Sequence, residues 1–134
     1  MAVHSKLAGW ERRLHQVLQE VDARLEDAYG GTWPLHPARP ARGSTANAQY
    51  DGLFRVTASF SAGYGSSVGR GYVFRVELVT LADIPPEVLR QIEATAAREL
   101  RRRLKTAFPD QMLHVTRDGP VIKIHGDLGL GRAY

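Results

Sequence analysis

The chain contains no cysteine, which excludes disulfides, thiolate nucleophiles and cysteine-ligated zinc in one step. Long apolar runs are missing as well. Charged residues interrupt every hydrophobic stretch and the segment Met1 to Trp10 lacks a leader's apolar core, so a soluble protein with no membrane partner is expected. There is no internal repeat and no coiled-coil heptad. The lack of cysteine fits a reducing, cytoplasmic setting. Acidic residues are in mild deficit, 14 against 18 Lys and Arg for a net charge of +4. Dedicated nucleic-acid binders concentrate charge more strongly, so where the cations sit matters more than their sum. The abundance of Arg and Ala is a bacterial, high-GC composition.

What is present is ordinary globular composition, 43% hydrophobic and 24% charged over 134 residues. A single domain over 1–134 is expected, burying roughly two-thirds of its unfolded surface. Trp10, Leu14, Val17, Leu18, Val21, Leu25, Ala28 and Tyr29 recur at three- and four-residue steps, with Glu11, Arg12, Arg13, Gln16, Gln19, Glu20, Asp22 and Glu26 on the other side. This predicts an amphipathic helix of about five turns that stops at Gly30-Gly31. Pro34, Pro37 and Pro40 then forbid helix and favour extended backbone. Residues 30–52 are expected as a stiff strap, strand-like near Gln49, with Trp33 and Leu35 against the core. The PxxP spacing also suits SH3-type ligands, but it is common by chance.

Two alternating runs, 53–60 and 72–79, flank the glycine-rich segment 61–71 and predict a long antiparallel hairpin with a mobile tip. Phe54, Val56, Ala58 and Phe60 share the core face with Tyr72, Phe74, Val76 and Leu78, while Arg55, Thr57, Ser59, Arg75 and Glu77 point away. Pro85 and Pro86 suit a helix start, and Glu87 complements its dipole. The buried stripe of this second helix is Val88, Leu89, Ile92, Ala96, Leu100, Leu104 and Ala107, and Phe108-Pro109-Asp110 ends it. Met112 to His125 predicts a second hairpin turning at Asp118-Gly119. That turn sets Thr116 opposite Val121, His114 opposite Lys123 and Met112 opposite His125, with Leu113, Val115, Ile122 and Ile124 inward. The tail, 126–134, is expected to be loose, with Leu128 and Leu130 available for docking. The fold class is α+β, a two-layer sandwich in α-ββ-α-ββ order, with a mostly antiparallel sheet and both helices on one face.

Chemistry-bearing motifs are sparse. Gly63 to Gly71 superficially resembles a phosphate-cradling loop, but a strand follows where the phosphate loops need a helix. Gly65-Ser-Ser67-Val-Gly69 matches GxSxG in the same wrong context. A hairpin tip explains the glycines, with Arg70 on an arm that reaches a partner subunit or a phosphate as the functional variant. His114 and His125 come out as diagonal neighbours with no third ligand, and Lys123 between them repels a cation, so no metal and no cofactor is expected. His4, His15 and His36 carry no spacing signal. Parity also collects Arg55, Arg75, Lys123, His114, His125, Thr57, Ser59 and Thr116 on the outer sheet face, opposed locally by Glu77. That surface suits a phosphate-rich or acidic partner, although it lacks the aromatic pair of base-reading sheets. Arg98, Arg101, Arg102 and Lys105 form a second basic stripe, with Glu99 placed to pair with Arg103. The carboxylates Asp51, Asp83, Asp110, Asp118 and Asp127 all fall at turns or element ends, where local capping explains them.

Three function classes follow. The first is a non-catalytic interaction domain that forms a homo-oligomer or joins a protein partner. The alternative is a polyanion or nucleic-acid binder using the basic outer face. The last is a small enzyme without a recognisable motif, for which no convergent acid, base, nucleophile or metal set is found.

Overall fold

A computed structural model describes residues 2–128, with side chains from Leu7 onward. Its order is α1 (Ala2–Tyr29), β1 (Phe54–Ser61), β2 (Gly71–Leu78), α2 (Pro86–Ala107), β3 (Leu113–Asp118) and β4 (Val121–Gly126), the α-ββ-α-ββ succession expected. The strands form one antiparallel sheet in the order β1-β2-β4-β3, leaving β1 and β3 as its two edges. The seam between hairpins is short, with Tyr72 facing Ile124, Val73 facing Lys123 and Phe74 facing Ile122.

Both helices lay their apolar stripes on the same face of this sheet. Leu25, Leu53, Phe54, Ile92, Leu100 and Ile124 are fully enclosed there, each stabilising the fold by roughly 1.5–3 kcal/mol through removal from water. Trp10 fastens the N-terminal part of α1 by stacking between Tyr72 (4.9 Å) and Phe108 (5.1 Å). Strap residues Trp33 and Leu35 pack against the core. Gly31, at φ +83, lets the chain leave α1 in a left-handed conformation.

Several expectations need correction. The first helix reaches back to Ala2. Asp22, assigned to its polar side, is only 2% exposed. The segment near Gln49 is a single 3-10 turn, Ala48–Tyr50, because the Asn47 side chain accepts from Gln49 N and bends the backbone. The buried stripe of α2 runs at four-residue steps from Ile92 through Ala96 and Leu100 to Leu104, and Leu89 lies outside it, exposed. Phe60 keeps its inward parity yet remains 51% exposed, since only an edge-on contact with Tyr72 (5.5 Å) covers it.

The second hairpin turns at Gly119-Pro120 and not at Asp118-Gly119: Asp118 faces Val121. Gly119, at φ +62, supplies the left-handed first turn residue, and the locked φ of Pro120 suits the second. The register moves by two residues, so every side chain keeps its face but changes its opposite number. Leu128 is buried, whereas the rest of the tail, 129–134 with Leu130, lies outside the described residues.

Candidate functional site

The glycine-rich segment folds back over the outer face of β4 and does not project as an arm. At Gly63, φ is +87 and an added Cβ would lie 2.2 Å from the Gly69 carbonyl carbon, so the loop closes on itself only with glycine there. The loop is then latched. Ser66 Oγ donates to Asp118 Oδ2 (2.5 Å) and Ser67 Oγ to Asp118 Oδ1 (3.4 Å). Lys123 Nζ donates to Ser66 Oγ (3.0 Å) and to the Gly69 carbonyl (2.9 Å), and its charge faces Asp118 Oδ2 at 3.3 Å. Lys123, expected on an open surface, is therefore 2% exposed and closed off from a partner. The hydroxyl bonds from Ser66, followed by the Lys123 ammonium, hold the Asp118 carboxyl below the ordinary range. Ser66 Oγ also accepts from Val68 N (3.1 Å), so its proton and lone pairs are all engaged. Ser67 is exposed, and its contact with Asp118 is at the long end of hydrogen-bond range.

The shifted register sets His114 directly opposite His125, with ring centroids 5.3 Å apart. His114 is exposed and His125 half-buried. Thr116 Oγ1 lies 2.9 Å from His125 Nε2. Burial, then the neighbouring His114 and Lys123, lower the pKa of His125.

The other outer-face cations stand apart from this group. Arg55 is exposed and faces Glu77 across β2, and Arg75 is exposed opposite Thr57. Arg70 is half-buried at the foot of the loop. The structure thus brings Lys123, His114 and His125 together and leaves Arg55 and Arg75 on the first hairpin. On α2, Arg98, Arg101, Arg102 and Lys105 are exposed. Arg102 bonds Glu99 (2.6 Å), and Glu99 also meets Arg103 (3.5 Å) and Arg24 (3.5 Å). The Arg102 bond in particular depresses the Glu99 pKa.

The two sheet edges are finished differently. On β3, the carbonyl of Val115 points away from β4 and accepts from Arg101 Nη2 (3.0 Å) and Nε (3.3 Å). On β1, Val79 N bonds the Leu53 carbonyl (2.7 Å) on the β2 side, while Arg39 Nη2 bonds the Phe54 carbonyl (2.7 Å) on the open side. Backbone groups alternate along a strand, so those of Val56, Ala58 and Phe60 also point outward. Among the described residues nothing bonds them.

A polar knot beneath the strap escaped the sequence. Arg39 donates to the Gly52, Asp51 and Phe54 carbonyls. Arg42 Nη1 donates to Asp22 Oδ1 (2.8 Å) and lies 3.7 Å from Asp51 Oδ1. Thr45 donates from both N and Oγ1 to Asp51 Oδ2. Burial raises the Asp22 pKa to about 7 against the pull of Arg42. Burial pushes Asp51 in the same direction, but the bonds from Thr45 and Gly43 and the Arg42 charge outweigh it and leave Asp51 low. One sequence signal was available: Asp22 directly follows Val21 and stands four residues from Leu18, within the apolar arc of α1. Ser66 and Asp118 gave none, being 52 residues apart.

No solved structure matches the chain. A protein of Borreliella burgdorferi described as "uncharacterized protein" is 40% identical over 122 residues, covering 91% of this chain and 95% of the relative. A family model described as "uncharacterised protein" matches residues 5–126. With a model spanning nearly all of α1 through β4 and a bacterial relative of almost the same extent, the chain belongs to this family.

Proposed function

We infer that the protein is a non-catalytic, self-associating domain in which two copies join through their β1 edges. The observation that supports this is the uninterrupted run on β1, where Val56, Ala58 and Phe60 are unbonded outward, whereas on β3 Arg101 breaks the run at Val115. Pairing about a two-fold axis at Ala58 sets Val56 against the partner's Phe60 and forms about six backbone hydrogen bonds. The half-exposed Phe60 ring then covers apolar surface of the second copy. On the outer face Thr57 meets the partner's Ser59 and Arg55 the partner's Ser61, so no like charges oppose one another. A cytoplasmic location accords with the lack of cysteine, and no described helix is long and apolar enough to cross a membrane.

Light scattering tests the pairing. The wild type is expected near twice 14.9 kDa. Ala58→Pro removes an outward N–H and leaves the β1–β2 ladder intact, so it is expected to run as a folded monomer. A wild type that stays monomeric at concentrations of hundreds of micromolar overturns the assignment.

A second reading, nucleic-acid binding, is favoured by charge placement. Residues 98–105 carry Arg98, Arg101, Arg102, Arg103 and Lys105 against Glu99, a surplus of four that equals the net charge of the whole chain. Because Lys123 is covered and Arg55 faces Glu77, a polyanion meets α2 more readily than the outer sheet face. Single-stranded DNA is expected to bind at low salt and to dissociate steeply as salt rises. Replacing Arg98, Arg102 and Lys105 by Glu is expected to abolish that binding, and no anisotropy change at low salt removes this reading.

A further inference from the structure

The geometry points to His114 and His125 as a paired-imidazole site for a borderline divalent metal ion, Zn2+ or Cu2+, on the outer face of the second hairpin. The argument begins with register. A turn at Asp118-Gly119 keeps the two rings diagonal with an exposed ammonium between them, an arrangement hostile to cations. The turn at Gly119-Pro120 instead places the histidines directly opposite one another. The Gly-rich loop meanwhile encloses Lys123, whose charge is answered by Asp118 at 3.3 Å. The first obstacle is thereby removed and the second is offset.

Ring spacing agrees with ligation. A zinc–imidazole bond of about 2.0–2.1 Å, plus roughly 1.1 Å from ring nitrogen to centroid, puts two imidazoles on one tetrahedral ion with centroids roughly 5.2 Å apart. The observed separation is 5.3 Å. Thr116 plays a positioning role. Its hydroxyl lies 2.9 Å from His125 Nε2, and a metal on Nδ1 requires the tautomer in which that hydroxyl accepts from Nε2–H. His114 is exposed, which provides an entry path for the ion. Among the described residues no third His, Cys, Asp or Glu completes the set. The remaining coordination positions fall to water or to a donor atom of a small ligand, as at open metal sites. The hairpin alone forms this site, so it does not depend on pairing through β1.

Titration of the full-length chain with ZnCl2, followed by calorimetry and by the imidazole resonances in NMR, tests the proposal. The expected result is one ion per chain, with the His114 and His125 signals moving together while those of His15 and His36 stay still. His114→Ala, at an exposed position, is expected to weaken binding roughly a hundredfold, and Thr116→Val, which removes no ligand, roughly tenfold. With CuCl2 the same variants are expected to rank in the same order, at tighter overall affinity. Equal response of all histidines, or affinity unchanged in His114→Ala, overturns the site. If His125→Ala fails to fold, His114→Gln, which keeps a polar side chain on the surface, supplies the second measurement.

Discussion

The β1 and β3 edges of one sheet face the same hazard, a row of backbone donors and acceptors without partners, and meet it with a guanidinium placed at the end of one strand and at the middle of the other. On β3 a guanidinium from the overlying helix bonds the central edge carbonyl, so Arg101 breaks the row of open groups between Leu113 and Arg117. On β1 the guard stops at Phe54, where Arg39 binds, and the next three outward positions are bare beside a half-exposed Phe60. The difference teaches that the strand order alone does not decide which edge is sticky. Long cations from neighbouring elements decide it.

The largest expected effect comes from removing the β1 guard. Arg39→Ala deletes three charged hydrogen bonds to carbonyls of the strap and β1 and is expected to lower unfolding free energy by about 3 kcal/mol, measured by urea titration. Next is Arg101→Ala, which makes the two edges alike. It is expected to lower stability by about 1–2 kcal/mol and to convert a discrete dimer into open-ended assemblies, visible in sedimentation velocity. An Arg101→Ala protein with an unchanged sedimentation profile would mean that β3 needs no guard. Smaller again is Ser66→Ala, which removes the hydroxyl between Asp118 and Lys123. A loss of about 1 kcal/mol is expected, with faster amide exchange confined to 62–70 and both edges unaffected.

The last expected effect is in pH. Because the folded-state pKa of Asp22 is raised to about 7 from 3.8, its stabilising contribution is complete at pH below 3.8 and fades as pH rises through 7. Asp51, Asp118 and Glu99 are shifted down and weaken the fold only when pH falls below the ordinary carboxylate range. Asp22→Asn is therefore expected to lose less stability than the wild type between pH 5 and pH 8 in urea midpoints.

Period carried most of the architecture. The two-residue alternation of Phe54 to Phe60 and Tyr72 to Leu78, and the helical steps from Trp10 to Leu25 and Ile92 to Leu104, each describe a local geometry that a linear chain displays openly. Hidden were the features that depend on residues meeting across long separations. Lys123 sits on the outer face its parity assigns, but nothing near it in sequence announces a lid formed by Ser66 and Gly69. The turn position also misled, since Asp-Gly is a strong signal, but a turn there needs residue 120 to donate its N–H to the Arg117 carbonyl and Pro120 has none. The strap knot combines both difficulties, joining Asp22 of a helix to Arg42 and Asp51 of an irregular segment.

The seam joining β2 to β4 is three residues long, yet it carries all the backbone pairing between the two halves of the sheet. Next to it lies Gly71, where any side chain would strike the Ile124 carbonyl at 2.4 Å. The Ser66 latch onto Asp118 and Lys123 crosses the same seam on the outer face, and Trp10 bridges Tyr72 and Phe108 on the inner one, so side chains hold the two hairpins in register where the backbone ladder is shortest.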